Sequence, residues 1–214
     1  FEDAEVGSEY FDQLISGDYG HLTFSKGGQS LWVVYPEGWI TQYPKPQEQG
    51  YNASYQLPEG QRSGLWMPPL MASPNPEEAA LYMAGGSLEN DEGSYLIKLT
   101  AEGSRIEAET GNFNFKLESG NGEISASATA PSNPDHWYVA TDNGRFFFSK
   151  DAGETWDQSL NFIVQGQFFY GQAIHISPLN ENVVYLGGSG YSNPAVFVSK
   201  DGGENFAGLN RGLP

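Results

Sequence analysis

The feature that most constrains this chain is a repeat with a period of about 50 residues. Phe146-Phe147-Phe148-Ser149-Lys150-Asp151-Ala152-Gly153-Glu154-Thr155-Trp156 aligns with Val196-Phe197-Val198-Ser199-Lys200-Asp201-Gly202-Gly203-Glu204-Asn205-Phe206, and the two serines stand 50 positions apart. A second element recurs upstream of each. Ser177-Pro178-Leu179-Asn180 ahead of Val183-Val184-Tyr185-Leu186 matches Ser73-Pro74-Asn75-Pro76 ahead of Ala80-Leu81-Tyr82, and Ala130-Pro131-Ser132-Asn133 ahead of Trp137-Tyr138-Val139. Residues 22–35 form a degenerate fourth copy. Every copy reads as a short strand, a Pro/Asn/Gly turn and an aromatic-rich strand.

A four-stranded unit repeated at this spacing is a propeller blade. The sequence therefore predicts an all-β chain of about four blades, each a four-stranded antiparallel sheet. Their bounds fall near 12–69, 70–124, 125–172 and 173–214, within a larger propeller of seven or more blades. Inner strands are expected near 21–25, 70–73, 125–129 and 173–177. Second strands are expected near 31–35, 80–84, 136–141 and 182–187, and third strands near 39–43, 94–99, 145–149 and 195–199. Outer strands are legible only after the two intact repeats. Residues 44–69 read as an outer strand plus a long loop, and 111–123 as a second insertion. The 27 Gly, 13 Pro, 13 Phe, 12 Tyr and 5 Trp suit short aromatic strands joined by turns and leave no room for a long helix.

The formal net charge is −17. Such a surface repels phosphate backbones and anionic lipid, which argues against nucleic acid and membrane surfaces as partners. No stretch reaches the roughly 20 apolar residues of a membrane span. Cysteine is absent, so disulfides, thiol catalysis and cysteine–zinc sites are excluded. Three histidines are too few for a histidine-rich metal centre, and no cofactor is expected. The chain opens at Phe1 and reads as a mature product or a piece of a longer one.

Ser149-x-Asp151-x-Gly153-x-x-Trp156 and Ser199-x-Asp201-x-Gly203-x-x-Phe206 fit the pattern S-x-D-x-G-x-x-W, the second with Phe for Trp. The pattern is hairpin-turn chemistry. The aspartate accepts backbone N–H bonds, the serine fixes the strand end and the glycine supplies a left-handed conformation. The terminal aromatic packs between neighbouring blades. On these residues the chain resembles the Asp-box propellers: sialidases, sortilin-type domains and xyloglucanase-like endoglucanases. The likeness is sharpest from Ala126 onward. It implies that the boxes are structural and lie on the side away from the ligand, and it suggests a secreted, periplasmic or cell-surface protein.

The opposite side of such blades carries the loops between second and third strands and the crossings between blades. Trp39, Trp66, Phe168, Phe169, Tyr170 and Tyr191 fall in or beside those segments and are the expected ligand-binding residues, with Tyr51 and Tyr55 also in that set. Flat rings beside amides are what sugars stack on and hydrogen-bond to. Glycoside hydrolysis needs two carboxylates about 5–10 Å apart. Asp18, Glu37, Glu59, Glu89, Asp91, Glu92, Glu118 and Asp142 lie on that side, and Asp18, in the run Gly17-Asp18-Tyr19-Gly20, is the weak catalytic candidate. Sialidase chemistry is not expected. The family's Arg-Ile-Pro motif is absent, and Arg62, Arg105, Arg145 and Arg211 are the only arginines. His175, on an inner strand, is given no catalytic role.

The leading expectation is thus a non-enzymatic module binding a glycan or a protein through its loop side. A xyloglucanase-like glycoside hydrolase and a structural part of a larger assembly, with further blades on the parent chain or a partner, are the alternatives.

Overall fold

The computed structural model describes residues 20–46, 53–59, 67–90, 92–164, 171–189 and 194–209. They form four four-stranded antiparallel sheets in a propeller arrangement. The first holds β1 (Leu22–Ser25), β2 (Ser30–Tyr35), β3 (Trp39–Tyr43) and β4 (Ala53–Gln56). The second holds β5 (Leu70–Ala72), β6 (Ala80–Gly85), β7 (Tyr95–Glu102) and β8 (Arg105–Thr110). The third holds β9 (Ile124–Ala130), β10 (Asn133–Thr141), β11 (Phe146–Ser149) and β12 (Asp157–Gln158), and the fourth β13 (Gly171–Ser177), β14 (Asn180–Gly188), β15 (Val196–Ser199) and β16 (Ala207–Gly208). Strands within each sheet pair in chain order, so every blade is a simple meander.

The sheets stack because their strands are apolar on both faces. Period-two alternation sends Leu81, Met83, Ile97 and Leu99 towards Trp32, Val34 and Ile40 of the first sheet. The intervening Ala84 and Leu96 face Trp137, Val139 and Phe147 of the third. Phe146 and Phe148 point the other way, onto Ile176, Val184, Leu186 and Phe206 of the fourth. The triple phenylalanine of β11 thus serves two interfaces, and a one-residue slip would exchange them. The innermost strands follow one another, β1 beside β5, β5 beside β9 and β9 beside β13. No comparable contact joins the fourth sheet to the first among the described residues.

Inner, second and third strands lie where the repeat places them. Two outer strands, β4 and β8, carry no box to announce them; six-residue β8 is the fourth strand that a four-stranded blade requires, at a position the repeat does not mark. The insertion at 111–123 holds a single turn of helix, α1 (Phe115–Glu118), whose buried Phe115 anchors it in the interface between the second and third sheets. No helix among the described residues is long and apolar enough to cross a membrane.

Candidate functional site

An up-and-down meander has two ends. At one lie the turns from third to fourth strand, which include both S-x-D-x-G-x-x-[WF] motifs. Ser149 Oγ donates to Asp151 Oδ1 at 2.8 Å and accepts from the backbone N–H of Gly153 at 2.9 Å. Asp151 Oδ1 accepts from the Thr155 N–H at 2.9 Å and Oδ2 from the Thr155 hydroxyl at 2.6 Å. The second copy repeats this: Ser199 to Asp201 at 2.8 Å, Gly203 N–H to Ser199 at 2.8 Å, Asn205 N–H to Asp201 at 2.9 Å. The bonds from the Thr155 hydroxyl and N–H and from Ser149 hold the Asp151 carboxyl below the ordinary aspartate range. At Asp201 burial pushes upward, but the bonds from Asn205 and Ser199 outweigh it. Gly153 is left-handed at φ 85°, and a Cβ there would meet Trp137 Cε3 at 2.9 Å. Ala152 takes the same sign of φ (56°) where the second copy has Gly202. Both aspartates are therefore spent within their own turns.

The motif aromatics pack as the pattern implies. Trp156 meets Phe115 of the preceding crossing edge-on, ring centres 4.9 Å apart, and Phe206 meets Phe146 at 4.7 Å. The two turns dock differently, however. The second is gripped by the segment after β12: Leu160 N–H and Ser159 Oγ both donate to Glu204 O, and Asn161 bonds both the N–H and the carbonyl of Phe206. In the first turn the corresponding bond is Asn112 Nδ2 to Glu154 O at 3.0 Å.

The other end carries the second-to-third-strand turns and the crossings. At the rim of the first sheet, Trp39 is 45% exposed and, with Tyr35, Pro36 and Gln56, borders an open depression of about 510 Å³. Trp39 pairs across the sheet with both Tyr35 and Gln56, so strand register fixes this aromatic-and-amide platform. Further round, Asp142 Oδ1 accepts from the backbone N–H of Glu123 at 2.8 Å, while the Glu123 carboxylate pairs with Lys116 at 3.1 Å. Burial pushes the Asp142 carboxyl above its ordinary range, reinforced by the charge of Glu123 and opposed by the backbone N–H bonds of Glu123 and Asn143 and by Lys116. Arg145 donates to the carbonyls of Asn143, Gly144 and Val164, which makes it a turn lock.

Of the sequence-predicted ligand residues, Trp39 is placed at this end. Trp66, Phe168, Phe169, Tyr170, Tyr191 and Asp18 lie outside the described residues, as do Tyr51, Asp91 and the side chain of Glu37. Tyr55 is corrected. It lies within β4, pairs with Ile40 and packs against the core between the first two sheets, so it is no loop residue. The piece 44–69 does hold the outer strand expected of it, β4, but that strand divides it, so the whole piece does not lie on the loop side. Only the part from Leu57 onward leads to the next sheet at the loop end; the part before β4 joins the third and fourth strands at the box end. Glu59, Glu89, Glu92 and Glu118 are exposed. His175 is exposed on β13, its ring 6.4 Å from that of Tyr185.

No family model matches this chain, and no curated protein does. Solved structures do. The GH74 xyloglucanase from Xanthomonas campestris superposes with a TM-score of 0.60 at 16% identity over 90% of this chain and 30% of its own. YCF48 from Cyanidioschyzon merolae gives 0.58 at 13% identity over 91% of this chain and 52% of its own. YCF48 bound to D1 peptide gives 0.52 at 14% identity over 93% and 55%. This chain thus spans about a third to a half of the length of these structures. At such identities the likeness establishes the β-propeller fold and nothing finer.

Proposed function

We propose that this chain is the ligand-binding part of a secreted, periplasmic or cell-surface propeller of the Asp-box kind, and that it binds a glycan or a protein at the loop end without catalysis. The observation that carries this reading is the exposed Trp39 beside Tyr35, Pro36 and Gln56, a ring with amide and carbonyl neighbours on a rigid strand pair. Trp66, Phe168, Phe169, Tyr170 and Tyr191 extend the same set by their place in the sequence. Both boxes serve the fold, since their carboxylates are consumed by their own turns. Further blades, on the parent chain or a partner, belong with these four. Leu22 and Phe24, on the face of β1 turned from the second sheet, are 62% and 48% exposed, and Tyr185 on the outer face of the fourth sheet is 39% exposed. Apolar faces of this kind are normally covered.

A xyloglucanase-like hydrolase is the second reading, favoured by the raised Asp142 carboxyl beside Glu123 at the loop end. A glycan and peptide array, run with a reducing-sugar assay on plant polysaccharides, separates the two. Binding without release of reducing ends supports the module; release that Asp142→Asn abolishes supports the hydrolase; neither binding nor release overturns both.

A further inference from the structure

The second and third sheets do not close on each other at their outer edge. Strand β8 runs for six residues, whereas its neighbour β12 has two. The first box turn reaches the segment after β8 through the Asn112 bond, which bridges the two sheets at one point only. A cleft of about 280 Å³ is left between them, walled by Tyr82, Phe113, Trp137 and Trp156 and edged by Lys98 and Glu109. Tyr82 and Trp137 meet edge-on at 4.7 Å, which holds both rings in place. The volume suits one side chain and falls below the range of drug-sized ligands.

The cleft's hydrogen-bonding groups are lopsided. The Trp137 indole N–H donates to Pro134 O at 2.7 Å, that of Trp156 to Gly153 O at 3.0 Å, and the Asn112 amide to Glu154 O. Lys98 is held by Glu78 at 2.7 Å, so its charge is balanced. Apart from the Tyr82 and Thr110 hydroxyls, which can donate as well as accept, what remains is acceptors. The carboxylates of Glu109, which faces Lys98 across the β7–β8 pair, and of Glu154 have no ion pair within 4 Å among the described residues, and the Asn112 side-chain oxygen lies beside them; the Thr110 hydroxyl oxygen already accepts the Leu88 N–H. Aromatic walls with a surplus of acceptors and net negative charge match a ligand that is flat, cationic and donor-only. That is the guanidinium, with five donors and no acceptor, which also stacks on rings.

We propose that this cleft is a second binding site, independent of the loop-end reading, which receives an arginine side chain of a protein partner as an interface anchor. The chain's net charge of −17 draws such a basic partner in.

The probe is the capped tripeptide acetyl-Gly-Arg-Gly-amide, titrated into the ¹⁵N-labelled chain while the indole N–H signals are followed, with Trp156→Phe to assign them. Saturable shifts confined to Trp137 and Trp156 are expected. The citrulline peptide, equal in shape but uncharged, should bind about 5–10-fold more weakly. The double variant Glu109→Gln/Glu154→Gln should lose a similar factor with an unaltered melting temperature, while Glu102→Gln, an exposed carboxylate at the far turn of β7 and β8, should lose nothing. Equal binding of arginine and citrulline, equal loss in the Glu102 variant, or shifts absent from these two indoles would overturn the proposal. So would methyl β-glucoside moving the same signals more strongly than the arginine peptide.

Discussion

Ser149 shows how a single residue links a motif to a fold. It is buried, and its hydroxyl both donates to Asp151 and accepts the Gly153 N–H that turns the chain out of β11. Removing it strands a backbone donor, so Ser149→Ala should cost about 1–3 kcal/mol, read from chemical denaturation. Asp142 should behave in the opposite sense. Its folded pKa lies above the ordinary value of 3.8, raised mainly by burial, so the ionised form is disfavoured in the fold. That cost is absent at low pH and grows as pH rises past the unfolded value. Asparagine is neutral throughout and its side-chain oxygen can still accept the Glu123 N–H. Asp142→Asn should therefore raise the melting temperature at pH 7, with the gain vanishing below about pH 4. A gain that persists undiminished at low pH would show that burial of charge is not the cause.

Among elements, the triple-phenylalanine strand is the clearest test of the stacking. Phe147 is fully buried between the second and third sheets, against Phe113 and Phe115. Phe147→Ala should destabilise by about 3–5 kcal/mol, measured by urea unfolding. The strands that sequence revealed are those with both a turn signal and aromatic alternation, such as β10 and β11. Strands β4 and β8 escaped or blurred because neither follows a box. In β8, Arg105-Ile106-Glu107-Ala108-Glu109-Thr110 alternates in period two, a signal the sequence carries without a turn motif beside it. The cleft beside it was invisible for a different reason. It arises from unequal lengths of β8 and β12 in adjacent sheets, and no local pattern encodes that. Tyr55 falls on a strand rather than in a loop because no turn signal within 44–69 marks where its outer strand, Ala53–Gln56, begins and ends.

At the scale of the whole molecule, four sheets held by shared apolar faces present two ends of different make-up. One end is made of turns whose carboxylates are consumed internally; the other carries Trp39 and the half-buried Asp142. In the sequence, the proposal that the loop end binds rests only on the resemblance of the boxes, since the loops at that end share no motif. The most direct test is to probe one glycan and peptide array with wild type, Trp39→Ala and the pair Asp151→Asn/Asp201→Asn, scaling each signal to the folded fraction from circular dichroism. The account predicts that Trp39→Ala loses binding with its melting temperature kept, while the double aspartate variant melts lower yet binds as well per folded molecule. Loss of binding in the aspartate variant at an unchanged melting temperature would contradict it.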